Sequence, residues 1–137
     1  MPITDDDALR EVLETTNTIA VVGCSSTAGK DAHEIPKYLL DAGYDVIPIN
    51  PFADEIFGQE TYDSLQAVPD KIDIVDVFRP SEEVPEIVDA ALDRADDPLV
   101  WLQLGITHDD AVEQAEDAGY RVVEDRCMKV EHQRLLG

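Results

Sequence analysis

Positive charge is what this sequence has least of. Ten Lys and Arg residues stand against 31 Asp and Glu, for a formal net charge of −21 over 137 residues. Non-specific binding to nucleic acid relies on Lys and Arg neutralising phosphates, so that function class is excluded, as is docking on an anionic membrane surface. Cysteine is scarce too. Cys24 and Cys127 are the only two, too few for a secreted disulfide scaffold, not in a Cys-x-x-Cys pair and without zinc spacing to any histidine. They read as ordinary thiols in a reducing compartment, and no metal site is expected. No apolar run reaches the roughly 18 residues that a membrane-spanning helix needs. The N-terminus, MPITDDDALREVLETT, is acidic and lacks an apolar signal stretch. A cytoplasmic location is therefore expected.

What is present is a core and a solvated acidic surface. Hydrophobic residues make up 44% of the chain, enough for one domain of this size, here 1–137. The acids are distributed along the chain rather than gathered in a tail, as expected for a halophilic source whose salty cytosol screens self-repulsion. The melting temperature should accordingly rise between low and molar KCl. A melting temperature indifferent to KCl would sink this reading.

Apolar patterning gives alternating strands and helices. Residues 4–15 form an amphipathic helix, within an N-terminal helical segment 1–16, with Thr4 as its cap and Leu9, Val12 and Leu13 on one face. Continuous β-rich runs follow at 18–22, 45–49, 72–78, 99–103 and 120–124, the pattern of strands buried on both sides. Helices are expected over 31–41, from a cap at Ser81, and over 109–118. Pro36 is expected in or near the first turn of its helix. Residues 52–70 read as irregular with one helical turn near Ser64-Leu65, and the tail 125–137 as holding a short helix. This alternation predicts an α/β fold: a doubly wound, Rossmann-like parallel sheet of about five strands flanked by helices, in a single domain.

Such sheets bind ligands beyond the carboxyl ends of their strands. Lys30, Arg79, Arg126 and Lys129 all fall in the five loops at those ends, four of ten cations in an anionic chain. That concentration points to an anion site, against the plainer alternative that each merely pairs with a neighbouring carboxylate. The first loop, Gly23-Cys-Ser-Ser-Thr-Ala-Gly-Lys30, suits a phosphate: Gly23 permits a sharp turn, Ser25, Ser26 and Thr27 offer hydroxyls, and Lys30 adds charge. It is neither a Gly-x-Gly-x-x-Gly fingerprint nor a Walker loop. At the end of the second strand a dinucleotide site usually carries an acid for the ribose; this chain has Asn50-Pro51, which weakens an NAD reading and suits a nearby phosphate.

Five segments together carry a family resemblance: Val22-Gly-Cys-Ser25, Tyr44-Asp-Val-Ile-Pro-Ile-Asn-Pro51, Val75-Asp-Val-Phe-Arg79 with Ser81-Glu-Glu-Val84, Trp101-Leu-Gln-Leu-Gly105, and Asp125-Arg-Cys-Met-Lys-Val-Glu-His132. They resemble, in order, the small stand-alone CoA-binding proteins related to the N-terminal CoA-binding domain of the succinyl-CoA synthetase α subunit. The resemblance implies coenzyme A or an acyl-CoA as ligand. It sets the Gly23–Thr27 loop, Cys24 included, against the CoA pyrophosphate, and Asn50 and Pro51 at the nucleotide end. Phe78 and Arg79 would then line the adenine and phosphate region, and Gln103 and Gly105 the pantetheine path. Lys30, Ile106, Arg126 and Cys127 complete the expected binding residues in the same strand-end loops. The synthetase continues into a domain with a phosphorylated histidine; the present sequence shows none, so ligase chemistry is not expected.

No carboxylate pair demands a catalytic role, and no catalytic residue is assigned. The paired acids 82–83, 96–97 and 109–110 read as helix-end or surface charges, and His33 and His108 as surface or capping groups. Trp101 reads as core, whereas Phe78, at a strand end, either packs or stacks on a base. Cys127 lies between Arg126 and Lys129, which would favour a thiolate; the plainer reading is a packed thiol, while Cys24 is expected to be exposed in its loop. Function therefore reads first as a small-molecule module that binds CoA without chemistry of its own. The alternatives are a thiol or redox protein using Cys127 with CoA, and an NAD- or other adenine-nucleotide-binding regulatory subunit of a larger complex. Homodimer and partner-subunit arrangements stay open.

Overall fold

A computed structural model describes residues 1–137. Its elements in chain order are α1 (Asp6–Thr15), β1 (Thr18–Val22), α2 (Asp31–Asp41), β2 (Asp45–Ile49), β3 (Glu55–Ile56), β4 (Gln59–Glu60), β5 (Ile74–Val77), α3 (Val84–Leu92), β6 (Leu99–Leu102), α4 (Asp109–Asp117), β7 (Val122–Val123) and α5 (Met128–Leu135). Short 3-10 turns cover Leu65–Ala67 and Ser81–Glu83. Five strands form one parallel sheet in the order β2-β1-β5-β6-β7, and β3-β4 is a separate antiparallel hairpin. This is the α/β Rossmann-like architecture expected from the alternation of elements.

Strand alternation sorts the core into two layers. Ile19, Val21, Ile74 and Trp101 face Leu9 and Leu13 of α1, Leu39 of α2 and Met128 of α5. Ala20, Val75, Val77 and Leu102 face Val84 and Val88 of α3 and Val112 of α4. The central strands β5 and β6 are buried at every residue, which is why they read as unbroken apolar runs. Trp101 is wholly buried, and its indole N–H donates to the Arg126 carbonyl at 2.9 Å. Pro48 sits in the edge strand β2, where its missing N–H leaves no gap in a ladder. Its carbonyl accepts from Tyr62 N–H at 3.1 Å, so the chain after β4 runs along that edge. No helix is long and apolar enough to cross a membrane.

Several expectations change in detail. Asp5, not Thr4, caps α1, accepting from Ala8 N–H at 3.0 Å. Ser81 does not cap a helix: its hydroxyl accepts from Thr107 N–H at 3.2 Å, and α3 starts later, with Pro85 in the first-turn position where a missing N–H costs nothing. Only Val122 and Val123 of the last expected strand pair, because β7 lies at the sheet edge with β6 as its one neighbour. The hairpin β3-β4 lies inside the stretch expected to be irregular. It turns on Phe57 and Gly58, both at positive φ (57° and 73°), the geometry of a two-residue hairpin loop.

Pro36 lies well inside α2, deeper than the first turn. A proline there cannot donate to the carbonyl four residues back. That carbonyl, Ala32, instead accepts from Ser25 N–H at 2.9 Å. The proline thus frees an acceptor that ties the first loop to the helix it precedes.

Candidate functional site

The sheet order reverses at β1, whose successors β2 and β5 lie on opposite sides of it. Helices leaving in opposite directions from such a point open a crevice at the carboxyl ends. A cleft of about 740 Å³ lies there, within the size range of small-molecule sites. Of the residues singled out in the sequence, Gly23, Cys24, Ser25, Lys30, Asn50, Pro51, Phe78 and Arg79 line it. Ser26 and Thr27 are exposed on the same loop.

The first loop is shaped by its own backbone. Ser25 Oγ accepts from Thr27 N–H at 3.0 Å, and the Ser25 carbonyl meets His33 Nδ1 at 2.8 Å. Asn50 stitches two strand ends together. Its side-chain amide donates to the Cys24 carbonyl at 2.9 Å, and its Oδ1 accepts from Phe52 N–H at 2.7 Å. The Asn50 side chain is therefore engaged with backbone on both sides, and the turn it makes presents Phe52, 96% exposed, at the rim of the cleft.

Cys24 is wholly buried, contrary to the expectation of an exposed thiol, because the loop folds down onto the α2 side of the sheet. Burial first, and the nearby Asp76 second, push its thiol pKa up to about 12. Burial thus favours the protonated thiol at Cys24.

The cleft carries two cations, Lys30 and Arg79, and three acids, Asp63, Glu83 and Glu86. Arg79 Nε and Nη2 donate to the two carboxylate oxygens of Glu83 at 3.1 and 2.7 Å. That hydrogen-bonded guanidinium holds the Glu83 carboxyl below the usual carboxylate range. Lys30 enters no ion pair. The Arg79 stem crosses the turn at Gly23: a Cβ built there would lie 2.7 Å from Arg79 Cδ.

The remaining expected residues gather at the neighbouring strand ends instead of in this cleft. Gln103 is buried, donating to Asp76 Oδ1 at 2.6 Å and accepting from Met128 N–H at 3.4 Å. Gly105 N–H donates to Asp125 at 2.6 Å, and Ile106 packs against the α3–α4 core layer. Arg126 pairs with Glu131 at 3.1 Å. Cys127, half-buried, precedes α5 as its cap residue, and Lys129 lies 5.5 Å from the Tyr38 ring centroid. His132 Nδ1 meets the Tyr38 hydroxyl at 2.7 Å, and His108 caps α4.

Sequence reasoning missed the far wall: Phe52, Asp63–Gln66, and Glu83, Glu86, Ile87 and Ala90 from α3 and the turn before it. The stretch 63–70 has no periodicity because a side chain from elsewhere orders it. Arg94 donates to the carbonyls of Leu65, Val68 and Asp70 while paired with Asp96. Asp76 was also missed, hidden in an apolar strand; it is fully buried, and its Oδ2 has no partner.

A family model for the CoA binding domain matches residues 17–133. The uncharacterised protein YneT of Bacillus subtilis is 38% identical over 124 residues, covering 90% of this chain and 91% of that protein. An ADP-forming acetate–CoA ligase of Methanocaldococcus jannaschii is 39% identical over 72 residues, which are 53% of this chain and 10% of the ligase. Among solved structures, a hypothetical protein from Pyrococcus horikoshii superposes with a TM-score of 0.94 at 40% identity, covering 100% of this chain and 97% of that one. With a matched region that runs from before β1 into α5, and so takes in the whole sheet and every wall of the cleft, the chain belongs to the CoA-binding domain family.

Proposed function

We propose that this protein binds coenzyme A or an acyl-CoA in the cleft at the ends of β1, β2 and β5, as a binding module without covalent chemistry of its own. The observation that carries the reading is the position of that cleft at the switch point of the sheet, with Lys30 and Arg79 on its walls in a chain of ten cations. The pyrophosphate would lie over the Gly23 turn, next to the α2 N-terminus, whose first amides have no acceptor within the helix. Pro51 and Phe52 would flank the adenine end, with the ring of Phe52 withdrawn from water on binding. A neutral Asn50 at the end of β2, in place of an acid, favours CoA over NAD. The buried, protonated Cys24 supports binding rather than nucleophilic chemistry.

Titration calorimetry with CoA, NAD and ATP at molar KCl tests this. CoA should saturate one site, and NAD and ATP should bind at least tenfold more weakly. Arg79→Ala should weaken CoA by about tenfold or more, the value of a hydrogen bond to a charged group. Equal affinity for all three would replace CoA with a general adenine-nucleotide ligand, and no heat with any would remove the proposal. A second reading, a CoA-holding subunit that works with a ligase partner, is favoured by the ligase of M. jannaschii carrying a matching segment as a tenth of its length. Co-purification of a stoichiometric second chain would select it.

A further inference from the structure

The strongest cation in the cleft is already occupied. Arg79 offers one edge of its guanidinium, Nε and Nη2, to both oxygens of Glu83. A phosphate would take that same two-donor edge. The pair is not locked in the core: the side chains are 47% and 37% exposed, so a competing oxyanion has access. The stem of Arg79 passes over the Gly23 turn, which places the guanidinium at the loop where a pyrophosphate would lie. With Glu83 ionised, the cleft walls carry three negative charges against two positive ones, a poor reception for a polyanion.

We propose that Glu83 is an internal competitor for the ligand's pyrophosphate, and that Arg79 exchanges the carboxylate for the phosphate on binding. Glu83 thereby sets the affinity of the cleft and keeps it from retaining ligand too tightly. This rests on the CoA reading above and adds to it an affinity-determining residue that contributes by opposing the ligand. Exposed carboxylate–guanidinium pairs are weak enough for a phosphate to displace. Removing the carboxylate both releases Arg79 and deletes one repulsive charge.

The test is calorimetry of wild type, Glu83→Gln, Arg79→Ala and the double variant, with CoA and with 3′-dephospho-CoA at one KCl concentration. Glu83→Gln should bind both ligands about fivefold more tightly than wild type. Its melting temperature should stay within about 2 °C of wild type, since an exposed pair adds little stability. In the Arg79→Ala background most of the gain should disappear, because there is then no arginine to release and only the repulsion by one exposed charge is relieved. Unchanged or weaker CoA binding by Glu83→Gln overturns the competition while leaving the CoA reading intact. So does a gain that persists at full size without Arg79, which would make Glu83 a simple repulsive charge. A gain for CoA that vanishes with 3′-dephospho-CoA overturns the assignment to the pyrophosphate. Failure of all four proteins to bind CoA overturns both readings together, and binding by Glu83→Gln alone supports the competition in its strongest form.

Discussion

Replacing Asp76 with asparagine should raise the melting temperature of this protein at pH 8 and leave it nearly unchanged, or slightly lower, at pH 5. Asp76 is fully buried on β5, the middle strand of the sheet. Burial pushes its pKa up to about 7, against which the hydrogen bond from Gln103 acts in the opposite direction. The folded state therefore holds this proton more tightly than the unfolded chain, where the carboxyl titrates near 3.8. Stability from the protonated form is fully present below about pH 4 and is lost as pH rises toward 7. Across that interval the loss is on the order of 4 kcal/mol, a large share of a small domain's stability. Asparagine keeps an acceptor for Gln103 and carries no charge. Its amide N–H would occupy the place of Oδ2, which has no partner, at a cost of roughly 1–3 kcal/mol. The net gain at pH 8 is then about 2 kcal/mol, or roughly 7 °C for a chain of this length. Differential scanning calorimetry of both proteins from pH 5 to pH 8 isolates the one group, since every other acid titrates alike in the two. A difference in melting temperature that does not change with pH would show that Asp76 is not the titrating group.

The same residue shows where sequence reading stops. In the run Ile72-Asp-Ile-Val-Asp-Val-Phe78 the two aspartates look equivalent. Asp73, at the strand's start, is only half-buried and accepts from the N–H groups of Asn17 and Thr18. Asp76 lies three residues on, inside the sheet between β1 and β6, and only the strand order reveals that. The central strands were legible because both their faces are covered, which leaves a continuous apolar record. The carboxyl-end loops were legible because a parallel sheet puts every such end on one side. Which of those ends share a cleft was not legible. That depends on the switch point, and it separates Gly23, Asn50 and Arg79 from Gln103, Gly105 and Cys127. The hairpin β3-β4 left no signal because each strand has two residues and its turn, Phe57-Gly58, has phenylalanine where asparagine or aspartate is usual.

Gly23→Ala should lower both the stability of the protein and its affinity for CoA. Two costs combine at this position. The backbone has φ +86°, a conformation that costs a non-glycine residue about 1–3 kcal/mol. The new Cβ would also stand 2.7 Å from Arg79 Cδ, 3.2 Å from Arg79 Cγ and 3.0 Å from the Phe78 carbonyl oxygen. The Phe78 backbone is held by its own N–H, which donates to the Val22 carbonyl at 2.9 Å, so relief must come from Arg79 swinging away. That motion takes the guanidinium off the Gly23 turn. The expected loss of stability is about 3 kcal/mol, near 10 °C in melting temperature, together with at least tenfold weaker CoA binding at a temperature where the variant is folded. Gly29→Ala is the internal control. Gly29 lies in the same loop at φ +93°, but nothing stands within 4 Å of its added Cβ, so it incurs the conformational cost alone. The difference between the two variants measures the close approach of Arg79 and Phe78 to the turn. Adding Arg79→Ala to Gly23→Ala should recover part of the stability, because the shortest contact is gone, and none of the binding. Equal effects of the two glycine substitutions would mean that the turn tolerates the extra atom and that Arg79 is not held against it.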